Sequence, residues 1–138
     1  VNIGSTPSFN GISGAKEFTT PVKPINNFVN RWQLMIERVL ENPGPHRIGV
    51  VGAGAGGMEL LLAVQHRLTN ILAERKQKIE RLEFHLISKS KSILPDFHHS
   101  VRERFEKLLK ARKVHIHYAA EAEKVTVDSI TAADGRVI

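Results

Sequence analysis

One short stretch, Gly52-Ala53-Gly54-Ala55-Gly56-Gly57-Met58-Glu59-Leu60, has the composition and order of an anion-binding turn. Its glycines fit the pattern G-x-G-x-x-G, and each has a physical task in holding a pyrophosphate. Gly52 permits a tight exit from a strand, Gly54 lets backbone approach a phosphate with no Cβ between them, and Gly57 lets a following helix pack closely. With Ala55 and Gly56 they place a helix start, its N–H groups unpaired and its dipole positive, where an anion would sit. No Gly-Lys-Ser or Gly-Lys-Thr follows, which argues against a Walker-type triphosphate site. Glu59 is expected in the first helical turn, where unpaired N–H groups stabilise a carboxylate, and near the nicotinamide end of a bound dinucleotide.

A turn of this kind works only between a strand and a helix, and the flanking sequence supplies both. Residues 47–51, Arg-Ile-Gly-Val-Val, read as the strand. Leu60, Val64, Leu68, Ile71 or Leu72, Arg75 and Ile79 recur at helical spacing, which predicts a helix from Gly57 to about Arg81. Residues 83–88 read as a second strand, parallel to the first because a helix connects them. Pro95-Asp96 breaks the chain, and Ser100-Val101-Arg102-Glu103 has capping-box spacing for a helix with Val101, Phe105, Leu108 and Leu109 inward. A third strand covers residues 114–118. Residues 124–127, 129–131 and 136–138 then alternate without helices, with Asp134-Gly135 as a hairpin turn.

Upstream, Asn26 is a plausible N-cap for an amphipathic helix carrying Phe28, Trp32, Met35, Ile36, Val39 and Leu40, stopped at Asn42-Pro43-Gly44-Pro45. Trp32 at this spacing reads as a core residue. Residues 1–25 are rich in Gly, Ser, Thr, Pro and Asn and read as a connector, either packed on a larger body or disordered. The chain opens and closes as if inside strands, which suggests an excised domain. The expected class is α/β: a Rossmann-like, three-layer domain with a parallel sheet, crossover helices and a C-terminal antiparallel meander, occupying residues 26–138.

Composition narrows the alternatives. At 138 residues, with 41% hydrophobic and 25% charged content, the chain suits one ordinary domain. The absence of cysteine excludes disulfides and thiolate metal sites in this segment. No run of about 18 apolar residues or signal-peptide pattern is present, so no transmembrane segment is expected and a cytoplasmic setting is. A net charge of +6 favours an anionic partner. The basic runs read as solvated helix faces and one strand end, so nucleic acid is not the expected partner. His98, His99, His115 and His117 lack a supporting third ligand at useful spacing, so no metal site is assigned. No serine has an elbow-like setting, and no catalytic residue is assigned.

Several segments together resemble the FAD-dependent pyridine nucleotide-disulfide oxidoreductases. Ile3-Gly4-Ser5-Thr6-Pro7 is similar to the handover from the flavin domain. Gly52 to Leu60 resembles the G-x-G-x-x-G-x-E turn, Ile93-Leu94-Pro95 the apolar-Leu-Pro after the second strand, and Asp134-Gly135 the meander hairpin. Pro21-Val22-Lys23-Pro24-Ile25, with Phe28 and Arg31-Trp32, resembles the type II NADH dehydrogenase-like branch, particularly members associated with selenide, water dikinase. The resemblance implies an NAD(P)H-binding domain that docks its cofactor against FAD in a second domain absent from this segment, leaving the segment alone catalytically incomplete. Many NAD-binding members carry an acid after the second strand, for the adenosine ribose. Here stand Ser88, Lys89 and Lys91, expected to be partly exposed and to accept NADPH as well as NADH. Gly49 replaces the bulkier residue usual inside the first strand. A non-catalytic nucleotide-sensing domain and a basic nucleic-acid-binding domain are the competing readings.

Overall fold

A computed structural model describes residues 11–23 and 25–138. The handover segment 3–7 and Pro24 lie outside the described residues, and the side chain of Ile25 is likewise not described. The chain divides into two compact units, one of residues up to Asn42 together with Ala122–Ile138, the other Pro43–Glu121.

The second unit holds the glycine turn. Strands β1 (His46–Val51), β2 (Leu82–Ile87) and β3 (Val114–His117) form a parallel sheet in the order β1-β2-β3. Helices α3 (Ala55–Glu74) and α4 (His99–Ala111) are the crossovers. Sheet order follows chain order and such crossovers are right-handed, so both helices cover one face. That face carries Val50, Leu82, Phe84, Leu86 and Val114, all buried. From α3, Met58, Leu61, Val64, Leu68, Ile71 and Leu72 are buried, and α4 adds Leu109. Fully burying a side chain of this size contributes roughly 2 kcal/mol before entropy is counted. The β1–β2 ladder runs unbroken through Gly49, which sits opposite His85.

Helix α3 departs from expectation at both ends. It starts at Ala55 rather than Gly57, and ends at Glu74 rather than near Arg81. Lys76 has φ +54, its N–H donates to the Ala73 carbonyl, and the Gln77 N–H donates to the Leu72 carbonyl. This is a Schellman stop with lysine in the left-handed place usually given to glycine. Ile79–Arg81 forms a separate 3₁₀ turn. Helix α4 is capped by His98, whose Nδ1 accepts from the Ser100 N–H, so Ser100 lies inside the helix and the capping box is not its start. Leu108, expected inward, is 36% exposed.

The first unit contains α1 (Ala15–Phe18), α2 (Ile25–Glu41), β4 (Ala122–Val125) and β5 (Ile130–Ala132). Strands β4 and β5 pair antiparallel, and Thr131 bridges Val137, which adds the end of the chain to the meander. The Gly135 N–H donates to the Ala132 carbonyl, closing the hairpin, and Asp134 holds Arg136 by a 2.7 Å ion pair. The described part of the connector is ordered. Ser13 bridges Lys124, donating to the Glu123 carbonyl and accepting from the Val125 N–H. Asn26 lies inside α2 and is not its cap. Trp32 stacks on Phe28, centroids 6.4 Å apart, and stays half-buried, while Ile36 and Val39 are the buried positions of α2.

Candidate functional site

The glycine turn leaves β1 at its carboxyl end and enters α3. Gly52 has φ +108, a conformation an L side chain resists, and its N–H donates to the Ile87 carbonyl of β2 at 2.9 Å. A Cβ on Gly57 would strike the Gly52 carbonyl oxygen, with Val50 just beyond. Gly57 therefore allows the helix start to close on the turn. Gly54 caps α3 with extended backbone and no side-chain bond, and its carbonyl accepts from the Met58 N–H at 3.0 Å.

Among the described residues, nothing accepts from the N–H groups of Gly54, Ala55, Gly56 or Gly57. A Cβ built on Gly54 or Gly56 meets nothing within 4 Å. Unpaired donors at the positive end of a helix of 20 residues, facing open space, match what a pyrophosphate requires. Glu59 is exposed and is the fifth residue of α3, so it belongs to the second turn and not to the first.

The end of β2 lies beside this turn, because Ile87 is the partner of both Val51 and Gly52; Ser88 follows it directly, and Lys89 and Lys91 come one and three residues later. Lys89 and Lys91 are exposed. Ser88 is 3% exposed, which corrects the expectation of a partly open side chain. Its Oγ donates to the Ser92 carbonyl and accepts from the Ser90 N–H, and its own carbonyl accepts from Ala120. The following loop turns back beneath the glycines: Ile93 and Leu94 are buried, and the Leu94 N–H donates to the Ala53 carbonyl at 2.8 Å.

Register creates one cluster that sequence spacing alone did not reveal. His85 lies opposite His115, and its ring stacks on His115 and His117 at centroid distances of 5.0 and 5.3 Å. Its Nδ1 is 3.0 Å from His117 Nε2, and Glu83 Oε2 lies 3.7 Å from its Nε2. Burial, then the neighbouring imidazoles, push the His85 pKa below its usual value, while Glu83 opposes them. Among the described residues, no group of three metal-ligating side chains is placed to hold an ion. A cavity of about 380 Å³ between α4 and β3 is lined by Glu106, Lys110, Lys113, His115 and Tyr118, and by no glycine-turn residue. Tyr118 donates to Glu106 Oε1 at 2.9 Å, and burial with that bond pushes its phenol up to about 12.

Comparison with known proteins follows the same lines. The family model described as pyridine nucleotide-disulphide oxidoreductase matches residues 1–138. The chain belongs to that family. A search of curated proteins returns no match. Among solved structures, the chain is similar to NDH2 from Plasmodium falciparum in complex with NADH, at 19% identity and a TM-score of 0.76 over 95% of this chain and 29% of that one. It is also similar to a ferredoxin reductase from Rhodopseudomonas palustris, at 13% identity and a TM-score of 0.69 over 98% of this chain and 30% of that one. Reduced CoADR-RHD from Bacillus anthracis gives 17% identity and a TM-score of 0.65 over 99% of this chain and 22% of that one. These structural likenesses show the α/β fold, and the family match shows a pyridine nucleotide-disulphide oxidoreductase lineage. The chain spans less than a third of each of these proteins. The narrower likeness to proteins associated with selenide, water dikinase is not carried by them. Among the described residues no helix is long and apolar enough to cross a membrane.

Proposed function

We propose that residues 26–138 are the NAD(P)H-binding domain of a flavin-dependent oxidoreductase, with residues 1–25 as the connector from an FAD-binding domain of a longer polypeptide. The observation that carries this reading is the set of N–H groups from Gly54 to Gly57 unpaired among the described residues, with open space about Gly54 and Gly56. The family match and the NADH complex of the NDH2 neighbour support it. The chemistry supplied when both cofactors are bound is hydride transfer from nicotinamide to flavin. This chain's residues would position rather than react. Gly52 and Gly57 shape the turn, Gly54, Ala55, Gly56 and Gly57 donate to phosphate oxygens, and Glu59 stands toward the nicotinamide side. A cytoplasmic setting fits such a domain.

Ser88 takes a revised part in this reading. Its hydroxyl is occupied by Ser90 and Ser92 backbone, so it holds the loop, and Lys89 and Lys91 would face the adenosine ribose of a bound dinucleotide. The sequence after β2 has Ser88-Lys89-Ser90-Lys91 and no carboxylate in the place where one would repel a 2′-phosphate. Exposed lysines contribute about 1 kcal/mol or less each, so both cofactors should bind, with NADPH modestly favoured at low salt.

The experiment is a fluorescence titration with NADH and NADPH at two salt concentrations, on the native chain and Gly54→Val. The native chain should saturate with both cofactors, and the variant should remain folded yet fail to bind. Equal titration of the two proteins would refute the turn as the phosphate site.

A further inference from the structure

Leu94 carries an unusual backbone for its side chain. Its φ is +46, in the left-handed region that a branched apolar residue seldom adopts, and it is 2% exposed. Its N–H donates to the Ala53 carbonyl at 2.8 Å, and its carbonyl accepts from the Phe97 N–H at 3.0 Å. A buried leucine thus sits behind the glycine turn in a strained conformation and holds that turn by a backbone bond. Strain of this kind persists only where surrounding structure enforces it.

The consequence follows from peptide geometry. In a trans peptide the carbonyl and the next N–H point in opposite directions. With the Ala53 carbonyl drawn back to Leu94, the Gly54 N–H points away from the loop, and among the described residues nothing accepts from it. The sign of φ matters because rotation about N–Cα swings the N–H relative to the side chain. At +46° the side chain stays buried while the N–H reaches Ala53. A right-handed conformer with the same buried side chain would turn that N–H elsewhere and release the carbonyl.

We propose that Leu94 is a positioning residue, whose left-handed backbone clamps Ala53 and so aims the Gly54 N–H at a phosphate oxygen. The ligand half of this statement rests on the dinucleotide reading; the clamp itself does not.

The test compares Leu94→Gly with Leu94→Ala in the full 138-residue chain. Both variants delete the side chain, but only glycine adopts the left-handed backbone without cost. Alanine spends part of its time with the clamp open, which lowers the binding-competent fraction. The glycine variant should bind NADH about five-fold more tightly than the alanine variant, reflecting the left-handed preference of glycine. Equal affinities, or tighter binding by the alanine variant, would mean that Leu94 acts through packing alone and would overturn the proposal. Amide hydrogen exchange on the native chain decides the clamp independently of ligand. The Leu94 amide should be protected and the Gly54 amide should exchange freely; an unprotected Leu94 amide overturns the proposal even where neither variant folds. If the native chain shows that protection pattern yet binds no NADH, the clamp stands and the dinucleotide reading fails.

Discussion

Placing alanine at Gly54 and at Gly57, three residues apart in one turn, should give very unequal thermal consequences. At Gly57 the new Cβ would enter the Gly52 carbonyl oxygen, a backbone atom that no rotamer change can move. Overpacking of this kind costs about 3 kcal/mol, and alanine's helix preference over glycine returns about 1. The net loss of about 2 kcal/mol should lower Tm by roughly 8 °C for a chain of this length. At Gly54 the backbone is already extended, with φ −77° and ψ −178°, and the added methyl group meets nothing within 4 Å. Alanine is a poorer N-cap than glycine by about 0.5 kcal/mol, while its smaller unfolded-state entropy returns about the same. Gly54→Ala should therefore leave Tm within about 2 °C of the native value. Thermal unfolding followed by far-UV circular dichroism measures both. Similar losses for the two variants, or a larger loss at Gly54, would refute this account of the turn.

Lys76→Gly should stabilise the domain by roughly 0.5–1 kcal/mol, since it relieves a left-handed lysine at the end of α3, and chemical denaturation would show it as a raised midpoint with unchanged slope. Tyr118 is the single tyrosine, so its ultraviolet titration is unambiguous, and its midpoint should lie near 12 rather than 10. Glu106→Gln should bring that midpoint down by removing the carboxylate charge. Because the folded pKa is raised, this bond's stabilisation is complete below pH 10 and is lost as pH rises towards about 12. His85 gives the opposite dependence: its folded pKa is depressed below 6.5, the unfolded chain takes up the proton more readily, and stability falls as pH drops through 6.5. Melting at pH 7.5 and 5.5 should show a smaller acid loss for His85→Asn than for the native chain, and identical losses would count against the cluster's role.

The parallel βαβαβ order was legible because each hydrophobic run is separated from the next by a helical pattern too long for a hairpin. The glycine turn was legible because its residues act through backbone, which spacing alone reports. The end of α3 was not, since the chain stops the helix with Lys76 where a reader looks for glycine or proline, and the helical periodicity continues through Arg75 and Ile79. The loss of Ser88 to the loop also escaped the sequence, because a serine at a strand end faces solvent or backbone according to a loop path that composition does not encode. Likewise, His115 and His117 were visible as neighbours on one strand, but His85 joins them only through the β2–β3 register. Leu94 was visible as part of an apolar-Leu-Pro segment; its left-handed backbone and its bond to Ala53 were not.

The most direct measurement of the central claim is a titration of the isotopically labelled chain with NADH, followed through its backbone amide resonances. Saturable shifts are expected at Gly54, Ala55, Gly56 and Gly57, whose N–H groups are unpaired among the described residues, with smaller changes at Lys89 and Lys91. Saturable shifts confined to other surfaces, such as the cavity beside Lys110 and Tyr118, with the four turn amides unmoved, would contradict that claim.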